Sequence, residues 1–168
     1  MQISAGSGMN GMANARPGGV YVDANPFVYA LEGPEDLASS LKTLFRLFKD
    51  NPGSAVTSEL TLAEVLPKRR IPDRDYLELL VWSEIFDLRP VDRDVLYGTA
   101  DYRRIAAVKL PDGRVQMPKL PDSIHVVTAI NNGCRMFLSS DSKIKLPEAI
   151  RFVRADASGI ASLVREFK

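Results

Sequence analysis

The stretch that decides the fold is LPDSIHVVTAINNGCRMFLSSD, residues 120–141. Its first half has the apolar content of a short packed helix, and Gly133 is a suitable residue to end that helix. Its second half is an apolar run typical of a buried strand, and it closes on Asp141. A helix that runs back across a parallel sheet begins at the edge where strands end. Asp122, at the helix start, should therefore face the same edge as Asp141.

Outward from this unit, further apolar runs alternate with helical patterns. Strands are predicted at about Val20–Asp23, in SAVTS and in IRFV, with a short strand or loop in DLRPVD. Helices are predicted in PFVYALEG, in the segment from Pro34 to Gly53, in ELTLAEVLPK up to Pro67, in RDYLELLVWSEIF, in RDVLYGTADYRRIAAVKL and in SGIASLVREF, with PDGRVQMPKL as a loop. Strands separated by helices indicate an α/β fold, a three-layer sandwich with a mostly parallel central sheet flanked by helices.

Size and composition fit one ordinary globular domain. The chain has 168 residues, enough for one real core. Its 22 basic and 21 acidic residues leave a net charge of +1, so no global field attracts a polyanion and any such binding must come from a local patch. The lone cysteine, Cys134, is expected to be a buried free thiol, which fits the reducing cytoplasm. No apolar stretch is long enough for a membrane span, so no membrane partner is expected.

The first 18 residues differ from the rest. They are rich in glycine, serine and asparagine and lack the apolar core of a secretory signal. We expect residues 1–18 to be a disordered leader, a cloning remnant or the result of a start codon placed too far upstream. The folded domain is then expected over residues 19–168.

Four carboxylates from four segments are expected at one edge of the sheet. Asp23 ends the first strand, and Glu64 lies about one turn into the helix after SAVTS, so both can join Asp122 and Asp141. Like charges this close disfavour joint ionisation unless a cation is present. Oxygen ligands select Mg²⁺ or Mn²⁺, whereas one histidine and one cysteine supply a zinc site poorly. Such a cation can activate water and offset charge on a phosphodiester, which predicts a metal-dependent nuclease.

Three of these acids also have structural interpretations. Asp122 could simply favour the helix dipole, and Asp141 could make a local turn. Glu64 ends TLAE, which matches a capping box that would start at Thr61. We prefer a helix start at Thr57 or Ser58, because the apolar pattern already includes Leu60 and Leu62. Asp23 is harder to explain structurally, since a carboxylate that closes so apolar a strand is costly unless it is paired or binds a metal.

Several polar neighbours could support the acids. The hydroxyls of Ser58, Thr128 and Ser139 could each bind a carboxylate or a metal-bound water, or could make only local caps. His125 lies one helical turn beyond Asp122. It could act as a general base, but a packed histidine is the preferred interpretation.

Together these segments resemble the PIN domain family and, within it, the VapC-like toxins of bacterial toxin–antitoxin systems. The resemblance covers about Gly19 to Lys145, and its matching stretches, in the family's order, are VYVDANPFVYAL, TSELTLAEVL, LPDSIHVVTAI and FLSSD. It implies a small α/β sandwich with an acidic, Mg²⁺- or Mn²⁺-dependent ribonuclease site. It matches the family's four acids to Asp23, Glu64, Asp122 and Asp141, its small polar position to Asn25, and a position that is often threonine to Ser139.

The resemblance also implies partners: an RNA substrate, a second copy in a homodimer, and a cognate antitoxin whose tail covers the acidic groove. The chain departs from the family in its leader, in the long loop KLPDGRVQMPK before the third acid, and in its final helix. None of these departures removes a carboxylate. They leave the subfamily, the target RNA and the partner open.

Two other functions compete with the metal-dependent endoribonuclease. A phosphatase of the haloacid dehalogenase type also places an aspartate after the first strand. That chemistry requires a D-x-D pair, and here the second position is Asn25. A non-catalytic PIN-like interaction module is the other alternative, and the complete acidic set argues against it.

Overall fold

The computed structural model describes residues 19–168, so the predicted leader lies outside the described residues. Within them, no helix is both long enough and apolar enough to cross a membrane. The strands are β1 (Val20–Val22), β2 (Ala55–Ser58), β3 (Asp87–Arg89), β4 (Val108–Lys109), β5 (Val115–Gln116), β6 (Met136–Ser139) and β7 (Arg151–Arg154). The helices are α1 (Ala24–Glu32), α2 (Glu35–Asp50), α3 (Leu60–Val65), α4 (Asp73–Leu77), α5 (Arg93–Ile105), α6 (Leu120–Asn131) and α7 (Ala157–Phe167).

Five of the strands form one wholly parallel sheet in the order β3-β2-β1-β6-β7. The central strands β1, β2 and β6 are buried along their whole length, including the polar residues Thr57, Ser58 and Ser139 at the ends of β2 and β6. Burial on both faces is typical of a parallel sheet covered by helices. The strand order changes direction between β1 and β6, where open α/β sheets bind ligands. The predicted α/β fold with a parallel sheet flanked by helices is confirmed.

Side chains alternate along each strand, so buried strands present apolar side chains on both faces of the sheet, and helices cover both faces. Val20 and Val22 belong to the larger core, which includes buried side chains of α1, α2 and α7. Tyr21 points to the other face, where it joins Phe137 of β6 and the buried face of α6 in a second apolar cluster. The helix that carries Asp122 therefore lies directly on the central strands.

The predicted helix over RDVLYGTADYRRIAAVKL is too long, and the predicted loop after it is wrong. Helix α5 ends at Ile105, and Val108–Lys109 pairs in antiparallel fashion with Val115–Gln116. The reversal between them uses Gly113 at a φ of 86°, a backbone conformation that favours glycine. We call this two-stranded unit the β4–β5 ribbon.

The predicted start of α3 at Thr57 or Ser58 is also wrong. Thr57 and Ser58 are paired with β3 in the sheet, so they cannot begin a helix. Helix α3 begins at Leu60, whose backbone N–H donates to the Ser58 hydroxyl at 3.2 Å. The capping-box alternative fails as well, because Thr61 lies inside the helix and its hydroxyl bonds with that of Thr57 at 2.9 Å.

The thiol of Cys134 should be unreactive in the native protein. The side chain is 4% exposed, and burial raises its pKa to about 12, so almost no thiolate forms at pH 8. We expect Ellman's reagent to leave the native protein unmodified over minutes and to titrate one thiol after unfolding in guanidinium. Fast native labelling would show that the start of β6 opens readily.

Candidate active site

Asp23 follows β1 directly and precedes the first residue of α1. Its backbone N–H donates to the Leu138 carbonyl of β6 at 3.0 Å, and the Ser139 hydroxyl donates to its Oδ2 atom at 2.6 Å. The residue is only 7% exposed, and its carboxylate makes no capping bond to α1. The strand pairing thus fixes a nearly buried carboxylate at the carboxyl edge of the sheet.

Glu64 reaches the same edge from α3. Its Oε2 atom lies 2.6 Å from Nε2 of His125, and that nitrogen is also 3.5 Å from Oδ1 of Asp23. His125 therefore stands between two acids that come from different segments. Because carboxylates only accept hydrogen bonds, Nε2 must carry the proton in this arrangement.

Asp122 and Asp141 complete the acidic edge. Asp122 lies in the first turn of α6 and is half-buried, and burial raises its pKa; nearby Lys119 opposes that rise, whereas Asp23 and Asp141 add to it. Asp141 accepts from the Lys143 backbone N–H at 2.9 Å, the turn contact that was its alternative interpretation. A single pocket of ≈ 260 Å³ is lined by all four acids and by two exposed cations, Lys68 and Lys119.

Of the four predicted supporting residues, two lie at the acidic pocket and two make only local contacts. Ser139 binds Asp23, and Asn25 lines the acidic pocket and donates to the Ser140 hydroxyl at 2.9 Å. Ser58 makes the local contact with α3 described above. Thr128 donates to the Ile124 carbonyl of its own helix at 2.8 Å, so its hydroxyl supports α6 and not an acid.

The contacts of His125 were missed at the level of sequence. The residue is packed, as preferred, at 1% exposure, but it also links the acids to the core: the Tyr21 hydroxyl lies 2.6 Å from its Nδ1 atom. Burial lowers its pKa, yet the hydrogen bond to Glu64 and the charges of Asp23 and Asp122 outweigh that effect, so the pKa lies above the usual value. The available signal was its position one helical turn from Asp122, on the same face of α6.

This donor set fits a hard divalent cation. Ligand atoms of Asp23, Glu64 and His125 lie within 4.8 Å of one another. Because Nε2 of His125 donates to Glu64, it is not available as a metal ligand in this arrangement. The remaining ligand atoms are carboxylate oxygens, which favour Mg²⁺ or Mn²⁺ over zinc. Burial is the main cause of the raised pKa of Asp122, and the charges of Asp23 and Asp141 add to it; a bound cation would offset that added repulsion.

A family model described as PIN domain matches residues 20–149, and the chain belongs to the PIN domain family. Members of this family are typically metal-dependent nucleases, in keeping with the buried cluster of acids and histidine. A comparison with curated proteins found no match.

Proposed function

We propose that this protein is a metal-dependent endoribonuclease that hydrolyses phosphodiester bonds of RNA. One observation carries the proposal: carboxylates from four separate segments line a single pocket where the strand order changes direction. Even Asp122 and Asp141, the two acids on consecutive elements, are separated by most of α6 and the whole of β6, so local capping does not explain why the four acids meet.

Asp23, Glu64, Asp122 and Asp141 would hold Mg²⁺ or Mn²⁺, directly or through water. When bound, the cation would lower the pKa of a water molecule and offset charge that develops on the phosphodiester. The protein's own part is to orient the carboxylates, which the contacts of Ser139 with Asp23 and of His125 with Glu64 achieve. The ammonium groups of Lys68 and Lys119 at the pocket rim are placed to bind the substrate's phosphates.

We further propose that the chain is the toxin of a toxin–antitoxin pair, acting in the cytoplasm as a homodimer. The VapC-like segments of the sequence support this. A small upstream reading frame that encodes a DNA-binding N-terminus would support the toxin role, and co-purification of the two products would test it. If calorimetry detected no divalent-metal binding at neutral pH, the interaction module would be favoured instead.

Metal removal should abolish the activity. We expect a labelled single-stranded RNA to be cleaved in Mg²⁺ or Mn²⁺, to stay intact in EDTA, and to be cleaved again when Mn²⁺ is added in excess. The products should be followed on denaturing gels. Contaminating ribonucleases of the metal-independent type resist EDTA and would appear equally in an Asp23→Asn preparation. Cleavage that persists in EDTA with the unmutated protein alone would contradict the proposal.

A further inference from the structure

A second pocket of ≈ 240 Å³ opens beside the acidic pocket. The two share Lys119, Asp122 and Asp141 among their lining residues, so a chain bound across the acids can pass from one into the other. We call this second space the side pocket.

The walls of the side pocket are apolar and are held in place. Ala106, Val108, Met117 and Ile144 contribute aliphatic surface. The hydroxyl of Tyr102, which also lines the pocket, donates to the Lys145 carbonyl and so ties α5 to the segment after β6. Arg103 of α5 donates to the Pro118 carbonyl at 2.9 Å, which ties the helix to the segment after the β4–β5 ribbon. The pocket therefore does not depend on a single mobile loop.

One face of the ribbon forms part of this wall. Val108 is paired with Gln116 and Lys109 with Val115, so the pleat directs each pair to one face. Val108 and Gln116 line the side pocket, whereas Lys109 and Val115 do not. The two faces of the ribbon thus provide a matched internal comparison.

The rim is positively charged. Lys119, Lys143 and Lys145 line the pocket and are exposed, and none of them forms an ion pair with an acid within residues 19–168. An apolar ligand would not require these ammonium groups, and a bare polyanion would not require the apolar wall. A nucleotide uses both, because its base packs on apolar or aromatic surface while its phosphates meet the cations.

We propose that the side pocket binds the base of a nucleotide next to the scissile phosphate of single-stranded RNA. This inference rests on the proposed function and adds the element that would set the preference for certain bases. The base must leave its stack to enter the pocket, which single strands permit and duplexes resist. Apart from Val108, the β4–β5 ribbon lies in the long loop by which the sequence departs from the family pattern, so it would make this preference particular to this chain.

The test compares the two faces of the ribbon. Val108→Asp and Val115→Asp are each made in an Asp23→Asn background, so that bound RNA stays intact. Fluorescence anisotropy then measures binding of a short fluorescein-labelled single-stranded RNA in Mn²⁺, and of an abasic ribose-phosphate strand of equal length and charge. We expect Val108→Asp to weaken RNA binding about tenfold or more, and Val115→Asp to weaken it less than about twofold. The abasic strand should bind more weakly and should respond equally to both substitutions.

Two controls separate the inference from its alternatives. Melting temperature and Mn²⁺ calorimetry of each valine variant with Asp23 intact should match those of the parent, and Val108→Ser supplies a neutral variant if the charge disturbs metal binding. Equal effects of the two substitutions on RNA, or abasic binding as tight as RNA binding, would overturn the base pocket while leaving the nuclease intact. Failure of the unmutated protein to cleave any RNA in Mn²⁺ would instead overturn the proposed function.

Discussion

Replacing Asp23 by asparagine is expected to lower RNA cleavage about 100-fold or more, equivalent to ~2.7 kcal/mol of barrier, while the protein stays folded. The amide has almost the shape of the carboxylate, and its oxygen can still accept from the Ser139 hydroxyl that now binds Oδ2. What is lost is the negative charge of the most buried of the four acids. A cation held by fewer charges binds less tightly and offsets less charge on the phosphodiester.

Asp156→Asn is a matched control for this substitution. Asp156 also ends a strand region and begins a helix, and it accepts from the Gly159 backbone N–H at 2.9 Å as the cap of α7. Asparagine caps helices about as well as aspartate, so this variant should retain both stability and cleavage. Initial rates at saturating Mn²⁺ and melting curves should be recorded for both proteins. Undiminished cleavage by the Asp23→Asn variant would remove the acidic pocket as the reaction site.

The elements predicted correctly from sequence are those whose burial is visible in the hydrophobic pattern of a single segment. The central strands are buried on both faces, so β1 is wholly apolar, β6 is apolar up to Ser139, and β2 begins with two apolar residues. The meeting of the four acids also follows from sequence, because strand ends and helix starts share one edge of a parallel sheet. That geometric rule placed Asp23 and Asp122 at one pocket without any knowledge of side-chain positions.

The parts that sequence missed depend on long-range pairing. The β4–β5 ribbon is only two residues long on each side, so its sequence carries almost no alternation to detect. Thr57 and Ser58 precede a helical pattern, and only their pairing with β3 keeps them in the sheet. Such pairing depends on which strands become neighbours, and the order β3-β2-β1-β6-β7 is not encoded in any one segment.

The role of His125 was missed for a related reason. Its partners lie 104 positions away at Tyr21 and 61 positions away at Glu64. A lone histidine on an apolar helix face is typical of core packing, and here the packing is real. Its two ring nitrogens nevertheless contact a core tyrosine and an acid of the pocket, which leads us to expect that it orients that acid.

Replacing His125 by alanine is therefore expected to weaken both the fold and the metal site. The substitution leaves a cavity and takes the partner from the buried Tyr21 hydroxyl, which together should cost about 2–4 kcal/mol of unfolding free energy. Thr128→Ala is the matched control on α6, because its hydroxyl bonds only within the helix. Chemical denaturation in EDTA measures the first effect, and Mn²⁺ calorimetry measures the second.

The sign of the metal effect distinguishes positioning from packing. Loss of the Nε2–H group removes a partial positive charge from between Glu64 and Asp23, which favours a cation there. It also frees Glu64 from the 2.6 Å contact that fixes the direction of its carboxylate. Removal of residues that orient metal ligands typically costs 10–100-fold in affinity, so orientation should prevail and Mn²⁺ binding should weaken by about that factor. Tyr21→Phe keeps the Glu64 contact and should lower stability with a smaller change in Mn²⁺ affinity. Unchanged or tighter Mn²⁺ binding by His125→Ala would mean that His125 serves only the core.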